Sequence, residues 1–152
     1  MIRIALESLL VVLIYLTVVF LVALVRKNNS LVDIAWGPGF VLLVLYNLLR
    51  TGPPSLFGVT ILVMTGAWGI RLAVHVGIRN AGKKEDFRYA KWRREWGRFF
   101  VIRSYLQIFV LQGFLMTIIG IPIIFILQQP ARKWHWLDFL GILIWLGGFL
   151  WE

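Results

Sequence analysis

The sequence predicts an all-α, polytopic transmembrane helix bundle with about five hydrophobic segments, and three observations lead there. Hydrophobic residues make up 60% of the chain, against roughly 45–50% in a soluble domain. They gather in runs of about 20 residues, the length at which an α-helix crosses a ~30 Å hydrocarbon core. The runs do not alternate, whereas barrel strands show ~10-residue alternating segments. Lipid offers no partner to backbone N–H and C=O groups, so non-alternating spans must be helices.

The first span is expected at residues 4–25. Its apolar core, 9–25, is longer than a signal-peptide core, and Arg26 and Lys27 follow it in place of a small-residue cleavage site. The second span is expected at 31–49, opening with Ser30 and Asp33 at capping-box spacing. A Gly52-Pro53-Pro54 turn then leads to a third span at 56–78. The fourth, at 105–127, opens with Ser104 and Gln107, again at capping-box spacing. The fifth, at 137–151, is 15 residues, about 22 Å of helix. It falls short of a ~30 Å core and sets Glu152 near lipid, where charge is costly. That reads as a span cut short; a short, tilted terminal helix is the alternative. Residues 1–152 thus form one transmembrane helical domain, and 80–103 a basic, aromatic cytosolic loop or interfacial helix.

Charge supplies the orientation. Eleven Lys and Arg lie in the loops after spans one and three, and four lie on the other side. Cytoplasmic loops carry the excess, so the N-terminus is expected outside and loop 80–103 in the cytoplasm. The net charge of +9 resides in these loops, where it meets lipid headgroups and not nucleic acid. With no Cys, thiolate chemistry and disulfides are excluded. No metal-ligand cluster, phosphate loop, nucleophile elbow or internal repeat is present in the sequence.

Several polar residues within or beside the spans are candidates for chemistry. Arg71, His75 and Arg79 recur every four residues, on one face of span three, one turn beyond Trp68. Ionisable groups inside a span are functional candidates, and two guanidinium groups with an imidazole suit a phosphate or carboxylate. The competing reading is snorkelling to lipid phosphates, although Arg71 sits two turns deeper than that needs. Asp33 and Trp36 lie in D-I-A-W-G-P-G. Asp33 is either a pocket residue or a helix cap. Gly37-Pro38-Gly39 either loosens the helix beside a cavity or packs against a neighbour through its small residues. Gln112 lies well inside span four and needs a hydrogen-bond partner.

In the loop, Tyr89, Trp92, Trp96 and Phe99 form an aromatic stripe, and Lys91, Arg94 and Arg98 lie on another face. This suits a helix lying in the interface, aromatic side toward lipid, serving as an anchor or as a lid over a site. His135 sits among interfacial aromatics. Asn28-Asn29-Ser30 has glycosylation spacing but falls on the expected cytoplasmic side.

The segments N-N-S-L-V-D-I-A-W-G-P-G-F, W-G-I-R-L-A-V-H-V-G-I-R-N, G-K-K-E-D-F-R-Y and F-V-L-Q-G-F-L-M resemble the front of domain-of-unknown-function 1295 proteins, bacterial membrane proteins related to steroid 5-alpha reductases. The resemblance covers nearly the whole chain, with E-D-F-R-Y and R-L-A-V-H its most specific parts. It implies an inner-membrane fold of six or seven spans, of which this chain is the N-terminal part, with a cytosol-facing cofactor pocket. It also implies NADPH-dependent reduction of a hydrophobic, lipid- or isoprenoid-like enone. Related methyltransferases use S-adenosylmethionine instead. Glu152 matches a family Glu whose downstream cofactor-binding partners are absent from this sequence, so the chain is expected to be inactive alone and to self-associate. A non-catalytic membrane scaffold is the reading from another class.

Overall fold

The computed structural model describes residues 2–51, 55–129 and 134–151. The expected Gly52-Pro53-Pro54 turn, Arg132, Lys133 and Glu152 lie outside the described residues. Every regular element described is helical: α1 (Ile2–Arg26), α2 (Leu31–Arg50), α3 (Leu56–Asn80), α4 (Phe87–Trp96), α5 (Phe100–Ser104), α6 (Leu111–Leu127) and α7 (Trp136–Trp151). A 3-10 turn, Gly97–Phe99, joins α4 to α5, and a π-helical segment, Tyr105–Val110, joins α5 to α6. Four stretches are long and apolar enough to cross a membrane: α1, α2, α3 and the run Phe87–Leu127. α7 is a fifth, shorter apolar helix. The chain is a multi-pass membrane bundle.

The ends follow from local chemistry. α1 closes in a Schellman motif: the Asn28 N–H donates to the Ala23 carbonyl (3.0 Å), the Lys27 N–H to that of Leu24 (3.1 Å), and Lys27 takes φ 49°. The reversal is tight, and Ser30 is already helical, with φ −63° and ψ −10°. An N-cap needs extended backbone before its hydroxyl can reach back to the first turn. The expected Ser30–Asp33 capping box therefore does not form. Ser104 is helical for a different reason, since it closes α5, which begins at Phe100 and runs straight on into the π-helical segment. The Ser104–Gln107 box is absent too. True caps stand elsewhere. Ser55 accepts from the Gly58 N–H (3.1 Å), and Asp86 accepts from the Arg88 N–H (3.0 Å). At the start of α7 the Asp138 carboxylate accepts from the His135 N–H (2.8 Å).

α2 is the central helix and touches α1, α3 and α6. Hydrophobic attraction is weak between helices in lipid, so close packing has to hold them. At the α2–α3 crossing Gly37 meets Gly69 backbone to backbone; a Cβ on Gly69 would lie 2.7 Å from the Gly37 oxygen. Gly39 fits under Met116 and Tyr15. The Gly-Pro-Gly segment is thus a small-residue packing surface inside a continuous helix. In the turn before Pro38, the Ala35 carbonyl accepts from the Tyr15 hydroxyl (3.0 Å). Val12, Leu16, Phe20, Val32, Leu43, Phe109 and Met116 fill the core. At the end away from the basic loops, buried Asn47 donates to buried Ser8 (2.9 Å), and Glu7 pairs with Arg50 and Arg3 (both 2.9 Å).

Candidate functional site

Two features sit at adjacent levels of the bundle, a polar latch at the basic end and an apolar cavity deeper in. α2 links them, because Asp33, Trp36 and Phe40 follow one another along its face over about 10 Å at 1.5 Å per residue.

The latch begins at the α1–α2 reversal. The buried Asn29 donates its backbone N–H to Glu85 (2.8 Å) and its side-chain amide to Ser104 (3.1 Å). Glu85 in turn holds Arg93 through two hydrogen bonds, at 2.8 and 3.0 Å, the forked geometry that guanidinium favours. Ser30 accepts from the Asp86 N–H (2.8 Å). Tyr89, buried on α4, donates its hydroxyl to the Asp33 carboxylate (2.8 Å), and Arg88 lies 3.5 Å from the same carboxylate. Arg88 also pairs with Asp86 at 3.0 Å and holds that carboxyl below its ordinary range. Asp33 is therefore a clamp for α4 and not a cap of its own helix. The other Asn29 amide atom, Oδ1, is buried without a partner among the described residues.

The aromatic stripe of α4 faces the protein. Tyr89 belongs to the core and Trp92 and Trp96 pack against it, stacked on each other with ring centroids 5.3 Å apart. Only Phe99 stands out, 48% exposed. Clamping by Glu85 and Asp33 rolls the helix onto the bundle, leaving Lys91, Arg94 and Arg98 exposed.

Trp36 donates its indole N–H to Gln112, which supplies the partner that Gln112 needs inside a span. Trp36 packs on Phe40, and Phe40 on Trp68, with ring centroids 5.7 and 5.6 Å apart. Phe40 and Trp68 form part of the wall of a cavity of about 610 Å³, completed by Ile61, Met64 and Thr65 of α3, Ile119 and Ile123 of α6, and Trp145, Gly148 and Phe149 of α7. That volume suits a ligand of drug or lipid size. Arg71 marks the cavity's basic end: its guanidinium donates to the Phe149 carbonyl and sits 4.7 Å from the centre of the Phe149 ring. The stripe does not converge on one point. His75 and Arg79 are exposed further along α3, Arg79 near enough to Asp86 to favour its charged form.

The structure thus joins Trp36 to Gln112, joins Asp33 to Tyr89 and Arg88, sets Arg71 at the cavity, and leaves His75 and Arg79 apart from it. Glu152 lies outside the described residues. Glu85, Arg93 and the hydroxyl role of Tyr89 are members that sequence reasoning did not single out, and Asn29 and Ser104 were read there in other roles, as part of a glycosylation spacing and as a helix cap. The signal was there in E-D-F-R-Y, whose acids and tyrosine all enter the latch. No group of three or more His, Asp or Glu with metal-holding geometry occurs among the described residues. The cavity does not fit a dinucleotide, because Arg71 is the single cation beside its described walls and they offer no helix N-terminus, too little to receive several phosphates.

These features define a polytopic membrane protein with an apolar cavity among its helices. Residues 19–152 match the family described as "Protein of unknown function (DUF1295)", and the chain belongs to that family. No curated protein and no solved structure matches the chain.

Proposed function

We propose that this chain forms the hydrophobic-substrate chamber of a membrane reductase that uses NADPH on a lipid- or isoprenoid-like enone. The cavity carries the reading. It is largely apolar, it is walled by four apolar helices, and the Asp33–Tyr89 pair approaches it along α2 from the basic end. The resemblance to steroid 5-alpha reductases supplies the reaction class. A reductase of this kind needs hydride from a cofactor and a protein acid to polarise the carbonyl. The described residues supply the chamber and a tyrosine–carboxylate pair, Tyr89 with Asp33, about two helical turns from its wall. They do not build a dinucleotide site, so no step is assigned to NADPH here. The proposed setting is the inner membrane, with the basic end in the cytoplasm.

The test is label transfer. The protein that carries this chain, including any residues downstream of position 152, is reconstituted in lipid nanodiscs and incubated with NADPH deuterated at the transferable position and a farnesyl-chain enone, and products are read by mass spectrometry. Deuterium on the β-carbon of the former double bond supports the reductase. Transfer of a labelled methyl group from S-adenosylmethionine would assign methyltransferase chemistry instead. No transfer from either donor would favour a non-catalytic membrane module.

A further inference from the structure

We infer that the cavity between α2, α3, α6 and α7 binds a single-chain lipid with an anionic head, and that Arg71 is the residue that reads the head. Arg71 lies within a membrane span and is only partly exposed. A cation there is expensive unless an anion or a set of oxygens neutralises it. Among the described residues it has no acidic partner. At the basic end, Glu85 is held by Arg93, Asp33 and Asp86 by Arg88, and Glu95 by Lys91. At the other end, Glu7 is held by Arg3 and Arg50, and Asp138 caps the start of α7. Arg71 has one carbonyl and one aromatic ring, both from Phe149, and neither carries a charge to match its own.

The space beside it supplies what is missing. Phe149, the residue that Arg71 grips, is itself a wall of the cavity, as is Trp68 one turn earlier on α3. The walls are apolar over most of their extent, so they suit a hydrocarbon chain, and the cation at one end suits a carboxylate or phosphate. Both demands are met by one molecule, an anionic amphiphile lying with its tail in the chamber and its head toward the basic end. Access is from the bilayer, because α7 buries none of its described residues and is the thinnest wall. This inference narrows the substrate class of the proposed reductase and, for turnover only, rests on that reading. Binding itself does not.

The test therefore measures binding with no nucleotide present. The purified chain in detergent is equilibrated with equal amounts of oleic acid and oleyl alcohol, and retained lipid is counted by native mass spectrometry. Losing a charge-assisted hydrogen bond corresponds to about a ten- to hundredfold change in affinity. Wild type should retain oleate over the alcohol by at least about tenfold. Arg71→Gln should bring the two level, and Arg71→Lys should restore most of the preference, which a merely misfolded protein would not do. Gly148→Trp should exclude both lipids, since a side chain there grows from open space, with nothing within 4 Å of its Cβ. Equal retention by wild type would overturn the inference. So would a preference that survives Arg71→Gln, or unchanged binding in Gly148→Trp.

Discussion

At the residue scale the two contrasting kinds of glycine give the sharpest prediction. Gly37 and Gly69 let two backbones touch, whereas a Cβ on Gly66 or Gly77 of the same helix would meet nothing within 4 Å. Gly69→Ala should destabilise the bundle by about 1–3 kcal/mol, the usual range for overpacking. Gly77→Ala should be neutral or stabilising by up to ~1 kcal/mol, the helix propensity difference. Thermal unfolding in detergent compares them, and equal melting points would refute the backbone crossing. Asp86 gives a pH prediction with a definite sign. Arg88 beside it depresses its pKa, so the folded protein binds that proton less readily than the unfolded chain, whose Asp titrates near ~3.9. The contribution is present above that value and is lost as pH falls through the lower, folded one. Asp86→Asn keeps a capping side chain but removes the charge. The melting-point gap between wild type and Asp86→Asn should stay constant from neutral pH down to about 5 and shrink below about 4. A gap that widens on acidification would contradict the ion pair.

At the scale of elements, the latch makes α4 and the loop before it a separable unit. Glu85 bridges the Asn29 backbone and the Arg93 guanidinium, with its own side chain only 10% exposed. Glu85→Ala leaves both partners without their acceptor and should cost about 1–3 kcal/mol. Hydrogen exchange should then quicken across residues 81–99 while the α2–α3 crossing keeps its protection; uniform quickening would show that the latch is not a unit of its own. The same element shows what a sequence can and cannot disclose. Each span was legible because hydropathy is local, and α1, α2, α3 and α7 lie within a few residues of expectation. The run Phe87–Leu127 was legible as two pieces, an amphipathic helix in the loop and a span at 105–127, but not their junction through residues 97–110 nor the inward turn of the aromatic face. Ser30 and Ser104 were misread as caps because capping spacing is written in the sequence but the backbone angles that make a cap are not. Asn29 with Glu85 and Asp33 with Tyr89 are each 56 residues apart, and Trp36 with Gln112 is 76 apart. No local pattern encodes such pairs. Tyr89 looked like one ring of an aromatic stripe because its hydroxyl acquires a role only once Asp33 is placed beside it.

At the scale of the whole molecule, the bundle sorts its polar groups into two ends, and that sorting predicts its place in the membrane. One end holds the α1–α2 reversal, the end of α3 and the latch, with exposed Arg26, Lys27, Lys83, Lys84, Arg94 and Arg98. The other holds Arg3, Glu7, Arg50 and the start of α7, where among the described residues two cations face two acids, Glu7 and Asp138. The transmembrane bias toward cytoplasmic Lys and Arg is counted over short loops close to the spans, and both loops of the basic end are short in this fold. The structure strengthens the asymmetry that the sequence displayed, because the latch places both loops at one level, so both must lie on the same side. The expectation is a cytoplasmic basic end and an external N-terminus. The chain has no cysteine, so single cysteines report without background. Lys84→Cys and Thr51→Cys sit in exposed positions at opposite ends. In intact cells an impermeant maleimide should label position 51 and spare position 84, with position 84 reacting only after the membrane is opened. The reverse pattern would invert the bundle and put the latch and Arg71 toward the outside. Labelling of both positions in intact cells would mean that the two ends do not face opposite sides, and the four-span reading of residues 2–127 would fall with it.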